Sequence, residues 1–279
     1  MTSHAVFAAD PLVIAALHLP PFDARHGMAW LEDYVASNAR VFAAAGVPYI
    51  KLQDQTRETS LMQPGPLAVT AALARFVRRE VPQVGLGVIV EAHDPKAALA
   101  IADAAGGDFV RIKVFVGGMM TAQGPRYGIG AEALAFRETL GGGRIAILAD
   151  VHDRTAVPIG GESQELAAEW AQKTGADGLI ITGSSFDDTL VRIGRLRAAA
   201  IKRPILIGGG VNEENVAAAL RASQGIVVST SLMRKDAGAS DVLRWDIDLT
   251  RRLMDAARAG RGRFDQPGHL GTGEAPGMA

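Results

Sequence analysis

Short apolar runs rich in β-branched residues recur along the chain and alternate with stretches of helical period. Runs of this length without a polar face are typical of strands in a parallel sheet that helices cover on its outside. The pattern predicts strands at residues 12–17, 47–52, 84–90, 109–116, 144–151, 178–182, 204–207 and 226–228. It predicts helices at 28–45, 66–79, 95–105, 131–140, 162–174, 187–200, after Asn212 and at 241–259, with a glycine-rich loop at 117–128.

This alternation predicts an α/β protein, a single (β/α)₈ TIM barrel spanning residues 1–259. Residues 260–279 are rich in Gly and Pro and are expected to form a disordered tail. A doubly wound open sheet is the alternative, but the Gly-rich dinucleotide turn that usually follows its first strand is absent.

Two predicted strands near the end of the chain are followed by residues that can bind an anion. They are Gly208, Gly209 and Gly210 after strand seven, the glycine loop, and Ser229, Thr230 and Ser231 after strand eight, the serine turn. Loops in these two positions commonly bind phosphate in such barrels, and glycine lets backbone N–H groups approach a ligand. We expect a phosphate between them, helped by a short helix starting near Leu232, with Gly183 at the edge of the site. The alternative is that the glycines only form a tight strand-to-helix turn.

Strand alternation also places ionisable side chains inside the barrel at its carboxyl end. We take Asp150, Lys113, Lys51 and His152 as the candidate catalytic residues and expect the first three to converge on one cavity. A carboxylate at this end suits general acid/base catalysis. A desolvated lysine near other cations can lose its proton and act as a base or Schiff-base nucleophile.

Each of these groups also has a structural interpretation. Arg111, one pleat further inside, is expected to pair with Asp150 or Glu91, because buried charges need partners. The two lysines could belong to the same network. Arg234 and Lys235 are ordinarily a solvated pair, although they follow the serine turn closely enough to help hold a phosphate.

Composition narrows the classes of function. The formal net charge is −1, which favours neither nucleic acid nor an anionic membrane as a partner. The absence of cysteine removes disulfides and thiolate sites, and no transmembrane run or signal peptide is evident. His18, His93 and His152 lack the usual spacing of metal ligands, so no metal and no other cofactor is predicted. We expect a soluble cytoplasmic protein without membrane insertion, and a homo-oligomer remains open.

Several short motifs, in the same order along nearly the whole chain, resemble the BtpA family, named for a protein linked to photosystem I biogenesis. They are His18-Leu19-Pro20-Pro21, Phe109-Val110-Arg111, Thr121-Ala122-Gln123-Gly124, Asp150-Val151-His152, Thr182-Gly183, Gly208-Gly209-Gly210-Val211 with Asn215-Val216, and residues 225–232. The resemblance implies a ribulose-phosphate-binding type of barrel.

Three places depart from the pattern that the resemblance leads us to expect. They are Lys51-Leu52-Gln53-Asp54 in place of an acidic residue and Asn, Glu91-Ala92-His93-Asp94 in place of Asn-Asp, and Asp153-Arg154-Thr155 in place of Lys-His. All three follow strands at the carboxyl end of the barrel, so we expect a substrate different from that of typical members.

Two classes of function fit these observations. The first is an enzyme that acts on a small phosphorylated metabolite by acid/base chemistry, as an isomerase, epimerase or lyase. The second is a non-catalytic assembly or stability factor related to photosystem I biogenesis, with a ligand-binding barrel between them. The anion-binding pattern next to several inward ionisable groups favours the enzyme, with part of the weight resting on analogy of fold.

Overall fold

The computed structural model describes residues 4–22, 26–55, 58–238 and 240–261, and its framework is a closed barrel of parallel strands. In chain order the strands are β1 (Leu12–His18), β2 (Tyr49–Gln53), β3 (Gly85–Ile89), β4 (Phe109–Ile112), β5 (Gly118–Thr121), β6 (Gly124–Tyr127), β7 (Ala146–Asp150), β8 (Val157–Pro158), β9 (Gly178–Ile181), β10 (Ile205–Ile207) and β11 (Gly225–Val228). The barrel order is β1-β11-β10-β9-β7-β4-β3-β2, which confirms the predicted fold and the adjacency of predicted strands seven and eight, β10 and β11.

Helices follow the barrel strands on the outside. They are α1 (Met28–Ala44), α2 (Pro64–Glu80), α3 (Ala97–Ala105), α4 (Gly130–Thr139), α5 (Gln164–Thr174), α6 (Phe186–Ala198), α7 (Val216–Ala222) and α8 (Ile247–Arg261). No helix within the described ranges is long and apolar enough to cross a membrane. The predicted tail lies outside the described residues, apart from its first two positions, which belong to α8.

Alternation along the strands separates two apolar cores. In β7, Ile147 and Ala149 pack in the outer core between strands and helices, whereas Ala146 and Leu148 pack in the inner core at the barrel axis. The inner face is the one on which alternation predicted Asp150. The next inward position along β7 is Asp150. The inner face of this strand is therefore apolar inside the barrel and ionisable at its carboxyl end.

The amino-terminal end of the barrel is closed by a 3₁₀ helix, Ala5–Ala8. Val6 is fully buried in the inner core, and Phe7 packs against it. His4 Nε2 lies 3.1 Å from Asp177 Oδ1, which ties this segment to the turn before β9. The carboxyl ends of the strands are therefore the end available to a ligand.

The segment predicted as a glycine-rich loop after β4 contains regular structure instead. The hairpin β5–β6 pairs with the two-residue strand β8 in a small antiparallel sheet. Two of its side chains, Tyr127 and Val157, are well exposed. The pattern missed this sheet because strands of two to four residues carry too few alternations to show a period.

The last helix begins later than predicted. We placed its start at residue 241, but the regular helix starts at Ile247, and Trp245 instead forms a bridge with Met233. The buried side chain of Asn38 holds this approach, because its Oδ1 accepts from the backbone N–H groups of Arg244 and Trp245. Apolar residues here mimic helical spacing while the backbone is extended.

Candidate active site

A cavity of about 590 Å³ lies at the carboxyl ends of the barrel strands, and each of the eight strands or the loop after it contributes to its lining. Its volume is in the range of small-molecule sites. Lys51, Lys113 and Asp150 line it together with the glycine loop and the serine turn. The anion-binding pattern and the ionisable pattern of the sequence thus meet in one space.

The three residues of the glycine loop differ in the reason for which each position requires, or does not require, a glycine. A Cβ at Gly208 would collide with Thr182 Oγ1, and the Gly208 N–H already donates to the carbonyl of Ile181 at 2.9 Å. Gly210 has a left-handed backbone, with φ of 77°. Gly209 has neither constraint, because only Arg154, 4.0 Å away, lies near the place of its missing Cβ. Within the described residues no acceptor takes its N–H, so Gly209 exposes its backbone to the cavity.

Hydroxyl groups on the same side of the cavity are partly without partners. Ser231 Oγ and Thr182 Oγ1 are buried, and neither has a hydrogen-bond partner among the described residues. Ser229 is different, since its hydroxyl donates to the carbonyl of Ala16 at 3.0 Å. A buried hydroxyl without a partner carries a free-energy cost that a ligand oxygen can relieve.

Arg154 is a cation that our candidate residues did not include. Its side chain lines the cavity beside Gly209, it is exposed, and within the described residues it forms no ion pair or hydrogen bond. A guanidinium with free donors suits a phosphate group. The signal was present in the sequence, as the departure Asp153-Arg154-Thr155 after strand five.

Three features expected to help the predicted anion site do not contribute to it in the expected way. Gly183 does not line the cavity: its N–H donates to Thr189 Oγ1 at 2.8 Å, and its missing side chain makes room for α6. The expected helix near Leu232 is only a single 3₁₀ turn, Thr230–Leu232. Arg234 and Lys235 do not line the cavity either, and Arg234 is hydrogen-bonded to Asp236.

On the opposite side of the cavity, the partly buried Arg111 and the buried Asp150 form a bidentate pair. Arg111 Nε and Nη2 donate to the two carboxylate oxygens at 2.9 and 2.7 Å. Burial raises the pKa of Asp150, while the positive charge and hydrogen bonds of Arg111 oppose that increase. The pairing predicted for Arg111 is present, and it occupies both oxygens of the carboxylate proposed as acid or base.

Lys113 is held in a second network. Its Nζ lies 2.9 Å from Glu91 Oε2 and 3.4 Å from Asp153 Oδ2. Burial alone would raise the pKa of Asp153, but Lys113 and hydrogen bonds from Thr155 lower it overall. Lys113 is therefore a fixed cation with two counter-charges.

Lys51 has a different environment from Lys113. Its side chain is only 1% exposed, and its Nζ donates to Gln53 Oε1 at 2.8 Å. No carboxylate within the described ranges forms an ion pair with Lys51. Gln53 lies between Lys51 and Glu91, because its amide nitrogen donates to Glu91, and Glu91 itself pairs with Lys113. Burial, and then the charge of Arg111, hold the pKa of Lys51 well below its ordinary value.

His18 at the end of β1 also lines the cavity. Burial, and after it the charge of Lys51, lower its pKa to about 4. At neutral pH His18 is therefore an uncharged imidazole that can accept or donate a proton. From the sequence alone we considered His18 only as a metal ligand.

His152 does not belong to the cavity. Its φ is 58°, a left-handed backbone that is rare for a residue with a side chain. The turn breaks the two-residue period after Asp150 and places His152 Nε2 3.8 Å from Glu162 Oε1. Its prediction as a catalytic residue therefore fails on position, because that prediction extended strand alternation past the end of β7.

The three histidines considered as metal ligands lie in different places. His18 lines the cavity, His152 faces Glu162, and His93 lies in a separate small pocket beside Arg126. Among the described residues, no three His, Asp or Glu side chains are grouped closely enough to hold a metal ion.

Residues 9–259 match the sequence model of the BtpA family. The chain belongs to this family. A relative in Synechocystis sp., named Photosystem I biogenesis protein BtpA, is 32% identical over 233 residues, which cover 80% of either chain. An uncharacterized protein of Archaeoglobus fulgidus is 30% identical over 256 residues, covering 89% of this chain and 99% of its own. The family resemblance of the sequence motifs is thus confirmed.

Solved structures resemble the barrel at low sequence identity. One, named "Native KDPGal structure", gives a TM-score of 0.57 at 14% identity and covers 90% of this chain and 96% of its own. Another, of phosphoribosylanthranilate isomerase from Thermotoga maritima, gives 0.52 at 17% identity and covers 88% and 98%. These likenesses show the barrel fold that this BtpA-family chain shares with them.

Proposed function

We propose that this protein is an enzyme that binds a small phosphorylated metabolite and transforms it by proton transfer or carbon–carbon cleavage, as an isomerase, epimerase or lyase. One observation carries the proposal. Among the described residues, hydroxyl and backbone donors without partners line the same cavity as a buried amine that forms no ion pair.

The anion-binding side supports a phosphate ester as ligand. Gly209 offers a free N–H, Ser231 and Thr182 offer buried hydroxyls, and Arg154 offers a positive charge. Hydrogen bonds from such donors to a charged oxygen are stronger than those to a neutral one. Anchoring the phosphate there leaves the rest of a small metabolite facing the ionisable side of the cavity.

The ionisable side supports proton transfer at or above neutral pH. Both oxygens of Asp150 accept hydrogen bonds from Arg111, and Lys113 forms an ion pair with Glu91, so the charge of each is already balanced by a partner. Lys51 and His18 are the groups in the cavity whose pKa values are lowered by burial. We assign proton exchange to Lys51 and His18. The role that we assign to Asp150 is to hold Arg111 in position.

Calorimetric titration with inorganic phosphate and with triose, pentose and hexose phosphates tests the proposal. We expect the wild-type protein to bind at least one ester, and Gly209→Val to weaken that binding by roughly 1–3 kcal/mol, because the new side chain blocks the free N–H. Gly194→Val is the matched control, since Gly194 lies in α6 with no neighbour near the place of its missing Cβ.

Equal affinities of wild type and Gly209→Val would contradict the anion site. Failure of every ester to bind the wild-type protein would contradict the enzyme proposal as a whole. It would favour the non-catalytic assembly role that the name of the Synechocystis relative suggests for that protein.

A further inference from the structure

Lys51 lies at the base of the cavity, directly above the apolar inner core. On the same face of β2, Tyr49 precedes it and packs at the barrel axis. In the neighbouring strands, Lys51 is in register with Ala16 of β1 and Gly87 of β3, which have little or no side chain. The lysine therefore has small neighbours on either side and the cavity above it.

The partners of Lys51 are not those of a structural lysine. A buried lysine that serves stability needs a carboxylate, because an unpaired buried charge is costly. Lys113 meets this condition through Glu91 at 2.9 Å. Lys51 does not, since its hydrogen bond at 2.8 Å goes to the neutral amide oxygen of Gln53, while the Asp150 carboxylate is bound to Arg111.

We propose that Lys51 is a nucleophile that forms a Schiff base with the carbonyl carbon of a phosphorylated aldehyde or ketone held in this cavity. The inference rests on the proposed function, because the phosphate at the glycine loop is what orients the carbonyl group. The Nζ lone pair forms the C–N bond as the carbonyl π electrons move to oxygen, and one proton passes from nitrogen to that oxygen. The hydroxyl then takes up a second proton and leaves as water, giving the protonated imine.

The surrounding groups fit this step. The burial of Lys51, and then the charge of Arg111, lower the pKa of the amine, so its lone pair becomes free at a lower pH than that of an exposed lysine. The neutral imidazole of His18 lies in the same cavity and can carry the proton between nitrogen and oxygen. The other charges that act on the amine come from Arg111 in β4, Asp150 in β7, and Glu91 and Lys113 in the segments after β3 and β4. The two carboxylates are already paired with Arg111 and Lys113.

A protonated imine also explains why the site is compatible with more than one reaction. It withdraws electrons from the bonds of the adjacent carbon. Loss of a proton from that carbon leads to isomerisation or epimerisation, and loss of a carbon fragment leads to cleavage. Both classes were predicted from the sequence, and both follow from a single intermediate at Lys51.

Borohydride trapping tests this proposal on the full-length protein. We would incubate it with dihydroxyacetone phosphate, glyceraldehyde 3-phosphate or a pentulose 5-phosphate, reduce with sodium borohydride, and map adducts by peptide mass spectrometry. Dihydroxyacetone serves as the probe without phosphate. We expect at least one phosphorylated probe to label Lys51 at least tenfold more than the exposed Lys96 and Lys202, and inorganic phosphate to reduce the labelling.

Variants locate the reacting amine. Lys51→Met replaces a buried amine by an apolar chain of similar length, so the protein should fold and lose the adduct, with folding checked by circular dichroism. Lys202→Arg, an exposed change outside the cavity, should keep the adduct at Lys51. Labelling should rise with pH through the lowered pKa of Lys51, since only the neutral amine reacts.

The outcomes separate this inference from the proposed function. If a phosphate ester binds by calorimetry but no probe labels Lys51 above the exposed lysines, the Schiff base is wrong and the phosphate site stands. Preferential labelling of Lys113 also overturns it. If no ester binds at all, the proposed function fails and this inference fails with it.

Discussion

The two sides of the cavity satisfy their polar groups in opposite ways. On the side proposed to bind an anion, Ser231 and Thr182 keep buried hydroxyls without partners, and Arg154 forms no ion pair within the described residues. On the ionisable side, Arg111 and Lys113 are each held by carboxylates. Unpaired groups mark where a ligand can supply the missing partner, and paired groups form a fixed framework. Lys51 is the exception on that side, because its amine is hydrogen-bonded to Gln53 and forms no ion pair with a carboxylate among the described residues.

Breaking a pair of that framework is expected to have the largest effect. Asp150→Ala leaves the buried guanidinium of Arg111 without its counter-charge, and we expect a loss of about 3–5 kcal/mol in the free energy of unfolding. Urea denaturation of wild type and variant measures it. The double variant Arg111→Met/Asp150→Leu should regain most of the loss, because it removes both charges. A loss below about 1 kcal/mol in the single variant would show that the pair is not part of the framework.

A pH titration of stability sharpens the comparison at His18. Its pKa is about 4 in the folded protein, against an ordinary histidine value of 6.5, so between these values the unfolded chain binds a proton that the folded protein does not. Stability should therefore fall as the pH drops from about 6.5 to about 4, by roughly 2–3 kcal/mol from this residue.

The variant His18→Gln should lose that component, which denaturation at several pH values can measure. His26→Gln serves as the comparison, since His26 stacks on Trp30 rather than lining the cavity. The same pH dependence in wild type and His18→Gln would show that His18 is not buried as a neutral group.

The smallest expected effect is at the exposed edge of the anion-binding side. Arg154→Ala should weaken binding of a phosphate ester roughly two- to fivefold, because exposed charge pairs contribute up to about 1 kcal/mol. The stability of the protein should not change. Calorimetric titration at two salt concentrations should also show a weaker salt dependence. Lys235→Ala removes a charge outside the cavity. If it weakened ligand binding as much as Arg154→Ala, the effect would come from the overall charge of the protein and not from a contact between Arg154 and the phosphate.

Where the chain repeats a simple period, its sequence predicted the structure well. The inner and outer faces of β2, β4 and β7 follow from alternation alone, which placed Lys51, Lys113 and Asp150 at one cavity. The glycine loop and serine turn lie where barrel topology puts the ends of its last strands.

The failures occur where tertiary contacts decide the backbone. His152 leaves the cavity because its left-handed φ ends the alternation, and residue type gives no signal for this. Trp245 is extended because Asn38, more than 200 residues earlier in the chain, captures its N–H. Arg154 was missed because no strand period positions it, although the loop after β7 brings it to Gly209.

The apolar closure at the amino-terminal end of the barrel has a consequence for how ligands enter and leave the cavity. Among the residues that the structure describes, Val6 and the mostly apolar inner core fill the barrel beneath Lys51. On the proposed function, substrate and product would therefore enter and leave through the same end of the barrel. A product that keeps its phosphate would then compete with the next substrate for the same groups, and product inhibition is the expected kinetic consequence.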